Sequence, residues 1–119
     1  MKQPQWEVIY YEDDSGACPV LDFLKTRTTR EQAKFSAWVQ QLTIKGPILP
    51  RPYADLLRNG IHELRIKLSR DQVRSLYFFY HQNQIIMTHC FIRKQSAVPE
   101  SEIRRAIRIR DEFIRKGRN

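Results

Sequence analysis

Five cations sit on or beside three runs that read as neighbouring strands: Arg65 and Lys67 on the first, Arg74 on the second, Arg93 and Lys94 at the end of the third. Like charges a few Å apart repel, and a Debye length of about 8 Å does not screen them fully. A bound anion relieves that repulsion, and phosphate is the obvious candidate. The simpler alternative is that each charge solvates an exposed sheet face, pairing with Glu63, Asp71 or the acids of the last helix. Charge alone does not decide between the two.

Several chemistries are excluded by what the chain lacks. There is no Walker-type glycine loop, no GxSxG, no HExxH and no carboxylate pair of glycosidase type. His62, His81 and His89 are scattered. Only His89 sits in an apolar run, four residues before Arg93 and so on the same strand face if no bulge intervenes. A buried imidazole satisfied by hydrogen bonds is its simpler reading, and proton transfer the functional one. Cys18 and Cys90 lie far apart without ligand or CxxC spacing, which argues against zinc and against a redox dithiol and leaves a turn thiol and a buried thiol.

The formal charge of +8 points to a polyanionic partner. Its distribution is uneven: residues 1–60 hold eight basic and seven acidic side chains, residues 61–119 thirteen and six. With 119 residues, 41% of them hydrophobic, the chain reads as one globular domain over 1–119. No apolar run approaches the eighteen or so residues of a membrane span, and Met1-Lys2-Gln3-Pro4-Gln5 does not open a signal-peptide core, so the expected location is the cytoplasm, with no membrane partner.

The elements that must position the cations follow from periodicity. Trp6 to Tyr11 reads as a first strand, ended by Glu12-Asp13-Asp14-Ser15-Gly16. Pro19 opens a short helix through Leu24. Thr28 or Thr29, with Glu31 or Gln32 three residues on, caps a second helix whose Phe35, Trp38, Val39 and Leu42 form an apolar stripe, and Gly46-Pro47 stops it. That stripe needs a sheet to cover. Ile48 to Asn59 reads as a connecting loop with one helical turn at Ala54 to Leu57. Ile61 to Leu68 alternates, with Leu64, Ile66 and Leu68 on one face and Glu63, Arg65 and Lys67 on the other. Val73 to Tyr80 is aromatic-rich, and Gln84 to Arg93 is apolar enough for a central strand buried on both sides. Ser69-Arg70-Asp71 and His81-Gln82-Asn83 fit antiparallel hairpins. Pro99 opens a last helix with Ile103, Ala106, Ile107, Arg110 and Ile114 on one side and Arg104, Arg105, Arg108, Arg115 and Lys116 over much of the rest.

The order of these signals resembles a known family. Trp6-Glu7-Val8, Tyr11-Glu12-Asp13, Pro19-Val20-Leu21-Asp22-Phe23-Leu24, Gly60-Ile61-His62-Glu63-Leu64-Arg65-Ile66, Arg74 with Tyr77, and Phe91-Ile92-Arg93-Lys94 ahead of Pro99-Glu100-Ser101-Glu102-Ile103 together resemble the phage-derived branch of the RelE/HigB-type toxins. The resemblance implies an α+β fold: a mostly antiparallel sheet of about four strands, two N-terminal helices and a C-terminal helix. It implies a toxin of a type II toxin–antitoxin module, a ribosome-associated endoribonuclease that cuts mRNA and inhibits translation without metal or cofactor. Arg65 and Lys67 then resemble the paired basic positions of the active-site strand, Arg74 the arginine that grips the scissile phosphate, and Arg93 and Lys94 the basic pair after the last strand.

Attack by the ribose 2′-hydroxyl passes through an anionic phosphorane, and preorganised cations stabilise that state more than the ground state. A lysine is ordinarily protonated at neutral pH, so a lysine base needs cationic neighbours to drive its proton off. Otherwise alignment for in-line attack supplies part of the catalysis. His89, Tyr77, Arg104 and Arg108 are the positions expected to contact RNA. Tyr77 and Tyr80 are the aromatics available for stacking, with packing the expected job of at least one. The chain departs from the family pattern at Ala97, Val98 and Glu100, near positions where relatives carry lysine, threonine and tyrosine. Implied partners are a cognate helix-turn-helix antitoxin, the ribosome and mRNA. Two alternatives stay open: a non-catalytic RelE/ParE-fold module that inhibits a protein target or binds RNA, and general nucleic-acid adhesion by the basic last helix.

Overall fold

A computed structural model describes residues 5–116, so Met1–Pro4, part of the run read above as opening no signal-peptide core, lies outside the described residues. The first strand, β1, covers Glu7–Tyr10, and the Asp13–Ala17 turn that ends it closes on the Asp13 carboxylate, which accepts from the Ser15 and Ala17 backbone N–H groups. Helix α1 (Pro19–Leu24) starts on its proline, where a missing N–H costs nothing. Helix α2 (Thr29–Lys45) is capped by Thr28: its hydroxyl accepts from the Glu31 N–H at 3.1 Å, and the Glu31 carboxylate accepts from the Thr28 N–H at 3.1 Å. This reciprocal box satisfies two donors that the first turn would otherwise orphan. Gly46, at φ 51°, ends the helix. A Cβ there would collide with the Trp6 indole ring, so glycine is required by both backbone and packing.

The segment expected to be a loop with a helical turn is instead a strand, β2 (Ala54–Arg58). It pairs antiparallel with β3 (Ile61–Leu68) across Asn59-Gly60, both at positive φ, the conformation a two-residue hairpin demands. Then come β4 (Asp71–Tyr80), β5 (Gln84–Ile92) and the C-terminal helix α3 (Glu100–Arg115). The sheet therefore has five strands in the order β1-β5-β4-β3-β2, antiparallel except where β1 runs parallel to β5. Its middle strand is β4 and not the Gln84 run. β5 is apolar because β1 and β4 flank it and both of its faces are covered.

Alternation along the strands divides the core. Leu64, Ile66 and Leu68 of β3, with Val73 and Tyr77 of β4 and Ile85 and Met87 of β5, pack under Val20 of α1 and Phe35 and Leu42 of α2. Ile61, Leu76, Phe78 and Ile86 face the other way, against Ala106 of α3. The expected architecture, two N-terminal helices on one side and a C-terminal helix, holds with one strand more than expected. No helix among the described residues is long and apolar enough to cross a membrane.

Candidate functional site: a cationic cleft at the edge of β3

β2 pairs with β3 only as far as Leu64, and one further bond, from the Arg65 N–H to the Tyr53 carbonyl at 2.8 Å, ties the chain before β2 to the sheet. Beyond that point the outer side of β3 opens into a cleft of about 470 Å³. Arg65, Lys67, Arg74 and Arg93 all line it, and α2 adds Lys34 from one wall. Arg65 and Arg74 are register partners across β3 and β4, and the Arg93 N–H bonds the Gln72 carbonyl at 2.7 Å, bringing the end of β5 alongside.

Two arginines directly opposite each other on one sheet face should repel. Glu63 sits between them and resolves this. Its buried carboxylate accepts from Arg65 Nε at 2.9 Å, and Arg65 Nη2 lies 2.8 Å from the same oxygen. Its other oxygen lies 3.1 Å from Arg74 Nε, within ion-pair distance but off the hydrogen-bonding direction, so neither atom completes a hydrogen bond. Arg74 Nη1 donates to the Val73 carbonyl at 3.1 Å. Asp55 braces Arg65 from β2 at 3.3 Å and is itself held by Arg51 at 3.1 Å. Burial depresses the pKa of the Arg74 guanidinium, Glu63 pulls it up, and Arg93 and Arg65 push it down again. A guanidinium in that position remains a cation and gains from any further anion.

The arrangement is graded by exposure. Arg74 is almost wholly buried and fixed, the Arg65 side chain keeps 32% of its surface, and Lys67 is exposed. Besides its arginines, the cleft is lined by the amines of Lys34 and Lys67 and the phenol of Tyr53. Among the described residues no group of three or more His, Cys, Asp or Glu side chains converges to hold a metal ion.

The other expected site residues lie elsewhere. Lys94 is exposed beyond the end of β5 and is not among the residues lining the cleft. Arg104 and Arg108 are exposed on α3, with Arg104 3.7 Å from Glu100. Tyr77 is buried on the α2 side of the sheet, stacked on His62, and burial raises its phenol pKa well above the ordinary value. His89 is buried on the α3 side. A register shift between Leu76 and Tyr77 leaves Thr88 as the extra residue before it, so the spacing from His89 to Arg93 is undisturbed. Its ring lies 3.0 Å from Thr88 Oγ1 and 2.9 Å from Glu102 Oε1 of α3. Burial and the nearby Arg105 charge hold its pKa down at about 4, against the pull of Glu102. It is thus a neutral imidazole that fastens α3 to the sheet.

The lining residues not singled out from sequence as site residues include Lys34, Trp38 and Tyr53. Trp38 and Tyr53 stack with ring centroids 4.8 Å apart and planes 27° from parallel. Lys34 and Trp38 share an i, i+4 face of α2, the one available signal, which the sequence reading absorbed as core stripe for Trp38. A larger cavity of about 570 Å³, walled by Tyr11, Tyr80 and Phe113, brings together none of the expected cations.

A mixed sheet with a buried Glu–Arg pair beside a cationic cleft is the framework on which the sequence comparison falls. The family model described as phage derived protein Gp49-like (DUF891) matches residues 22–111, from within α1 to within α3 and across every residue of the cleft. The chain belongs to that family, a RelE/ParE-like toxin family, which at that level implies an antitoxin partner. Among curated proteins none matches the chain.

Proposed function

We propose that this protein is the toxin of a type II toxin–antitoxin module and acts in the cytoplasm as a ribosome-associated endoribonuclease on mRNA. The observation that carries the reading is the convergence of Arg65, Lys67, Arg74 and Arg93, on or beside three neighbouring strands, on one cleft. In the proposed reaction a ribose 2′-hydroxyl attacks the adjacent phosphorus. The P–O5′ bond breaks, leaving a 2′,3′-cyclic phosphate and a 5′-hydroxyl. Negative charge accumulates on the phosphorane, and cations already fixed in position stabilise it without reorganising.

Arg74, locked by burial and by Glu63, grips a non-bridging oxygen. Arg65 and Arg93 share that charge, and Lys67, the exposed member, moves a proton or neutralises the leaving oxygen. In-line alignment by the bound ribosome supplies the remainder. A helix-turn-helix antitoxin silences the protein by covering the cleft or barring entry to the ribosome.

Growth under induced expression tests this. The wild-type chain arrests growth, whereas Arg65→Ala and Lys67→Ala relieve the arrest, each lowering cleavage about 10²- to 10³-fold. Arrest that persists in both folded variants would remove the proposal.

A further inference from the structure

The stacked pair beside the cations is only partly used by the core. Tyr53 keeps 42% of its surface exposed although it is a large aromatic, and it faces the same cleft as the four cations. Trp38 behind it is half-buried against the α2 core, so the pair has one anchored ring and one presented ring. The backbone under Tyr53 is equally fixed: its N–H donates to the Pro50 carbonyl at 2.9 Å, and its carbonyl accepts from Arg65. A backbone hydrogen bond of 2.8 Å therefore ties the residue that presents the ring to a residue of the phosphate grip.

Rings held rigidly beside a cationic groove, with a lysine one helical turn away on the same face, match the two halves of a nucleotide: anionic backbone and π-faced base. We propose that Tyr53, backed by Trp38, is a platform on which one unpaired nucleobase next to the gripped phosphate stacks. The cleft is then a site for single-stranded RNA, because the faces of paired bases are hidden within a helix. Every base has a π-face, so the platform orients the strand without dictating its sequence. This rests on the cleft's being the RNA site and assigns that site its base-binding part.

The test uses the full chain and a short RNA with 2′-O-methyl groups throughout, which blocks cleavage. A ribose-phosphate strand of equal length without bases is the control, and fluorescence anisotropy is the readout. Tyr53→Ala weakens binding of the base-bearing strand about ten-fold, Tyr53→Phe retains it, and the abasic strand binds both variants and wild type alike. Unchanged thermal unfolding of Tyr53→Ala accompanies this, since the ring is substantially exposed. Equal loss on both strands, or loss on neither, overturns the platform while leaving the cleft reading intact. A wild-type chain that binds neither strand overturns both.

Discussion

Glu63 decides whether the arginines are an array or a liability. It is buried, and it is the partner of two guanidinium groups, one of them buried as well. Replacing it by alanine leaves Arg74 charged and unpaired in the sheet interior, a change that costs about 3–5 kcal/mol. Lys67→Ala removes an exposed charge and stays within about 0.5 kcal/mol. Urea unfolding of the two variants separates the scaffold of the site from its chemistry: Glu63→Ala loses stability and activity together, Lys67→Ala activity alone. The sequence placed Glu63 on the same face as Arg65 but could not say whether it neutralised the cations or ordered them. Burial and register show that it pairs with Arg65 and Arg74, while the cleft retains Lys34, Lys67 and Arg93 in addition.

His89 makes a second prediction at the same scale. Its pKa is about 4 in the folded chain against an ordinary value near 6.5, so between these the unfolded chain binds a proton that the native one refuses. The stability tied to His89 is therefore complete above about pH 6.5 and is lost as the pH falls towards 4. His62, also depressed by burial, adds in the same direction. Urea midpoints measured from pH 7 to pH 4.5 fall in the wild type and fall less steeply in His89→Asn. Equal slopes would refute the assignment.

Among the elements, α2 carries one wall of the cleft, and its N-terminus is tied down by a side-chain network. Glu31 closes the capping box, accepts from Ser69 at 2.5 Å in the β3–β4 turn and pairs with Arg27, which in turn reaches Asp71 at 2.9 Å. Those hydrogen bonds, Ser69 first, hold the Glu31 carboxyl down at about 2. Thr28→Ala loses one cap and costs about 1 kcal/mol. Gly46→Ala, at the other end, drives a Cβ into the Trp6 ring at positive φ and costs more than Thr28→Ala. Thermal unfolding checks the order.

Helices and the long strands were legible because cap, period and stop signals agreed for α2 and because β3 alternates over its full length. β2 was not. Pro50, Pro52 and Asn59-Gly60 surround Ala54–Arg58 with turn chemistry, and its strand character comes from pairing with β3, a tertiary fact that local propensity does not hold. The tyrosine just before β2 was hidden for the same reason, and Trp38 because an aromatic in a helical stripe is ordinarily core.

For the molecule as a whole, the asymmetry of charge visible in the sequence divides in space. Arg65, Lys67, Arg74 and Arg93 enter one cleft from the three-strand meander, whereas Arg104 and Arg108 lie exposed on α3 away from its lining. Net charge therefore pointed to a polyanion without locating a site, and only strand register shows which cations lie together. Family membership over residues 22–111 fits a toxin, and the cleft is where the proposed function seats its phosphodiester.

The most direct measurement is a map of transcript 5′ ends shortly after induction of the wild-type chain and of Lys67→Ala, both shown to be folded. The account predicts new 5′-hydroxyl ends within translated coding regions for the wild type and their near-complete loss in the variant. Intact transcripts under wild-type expression, or equal cutting by both chains, would contradict it.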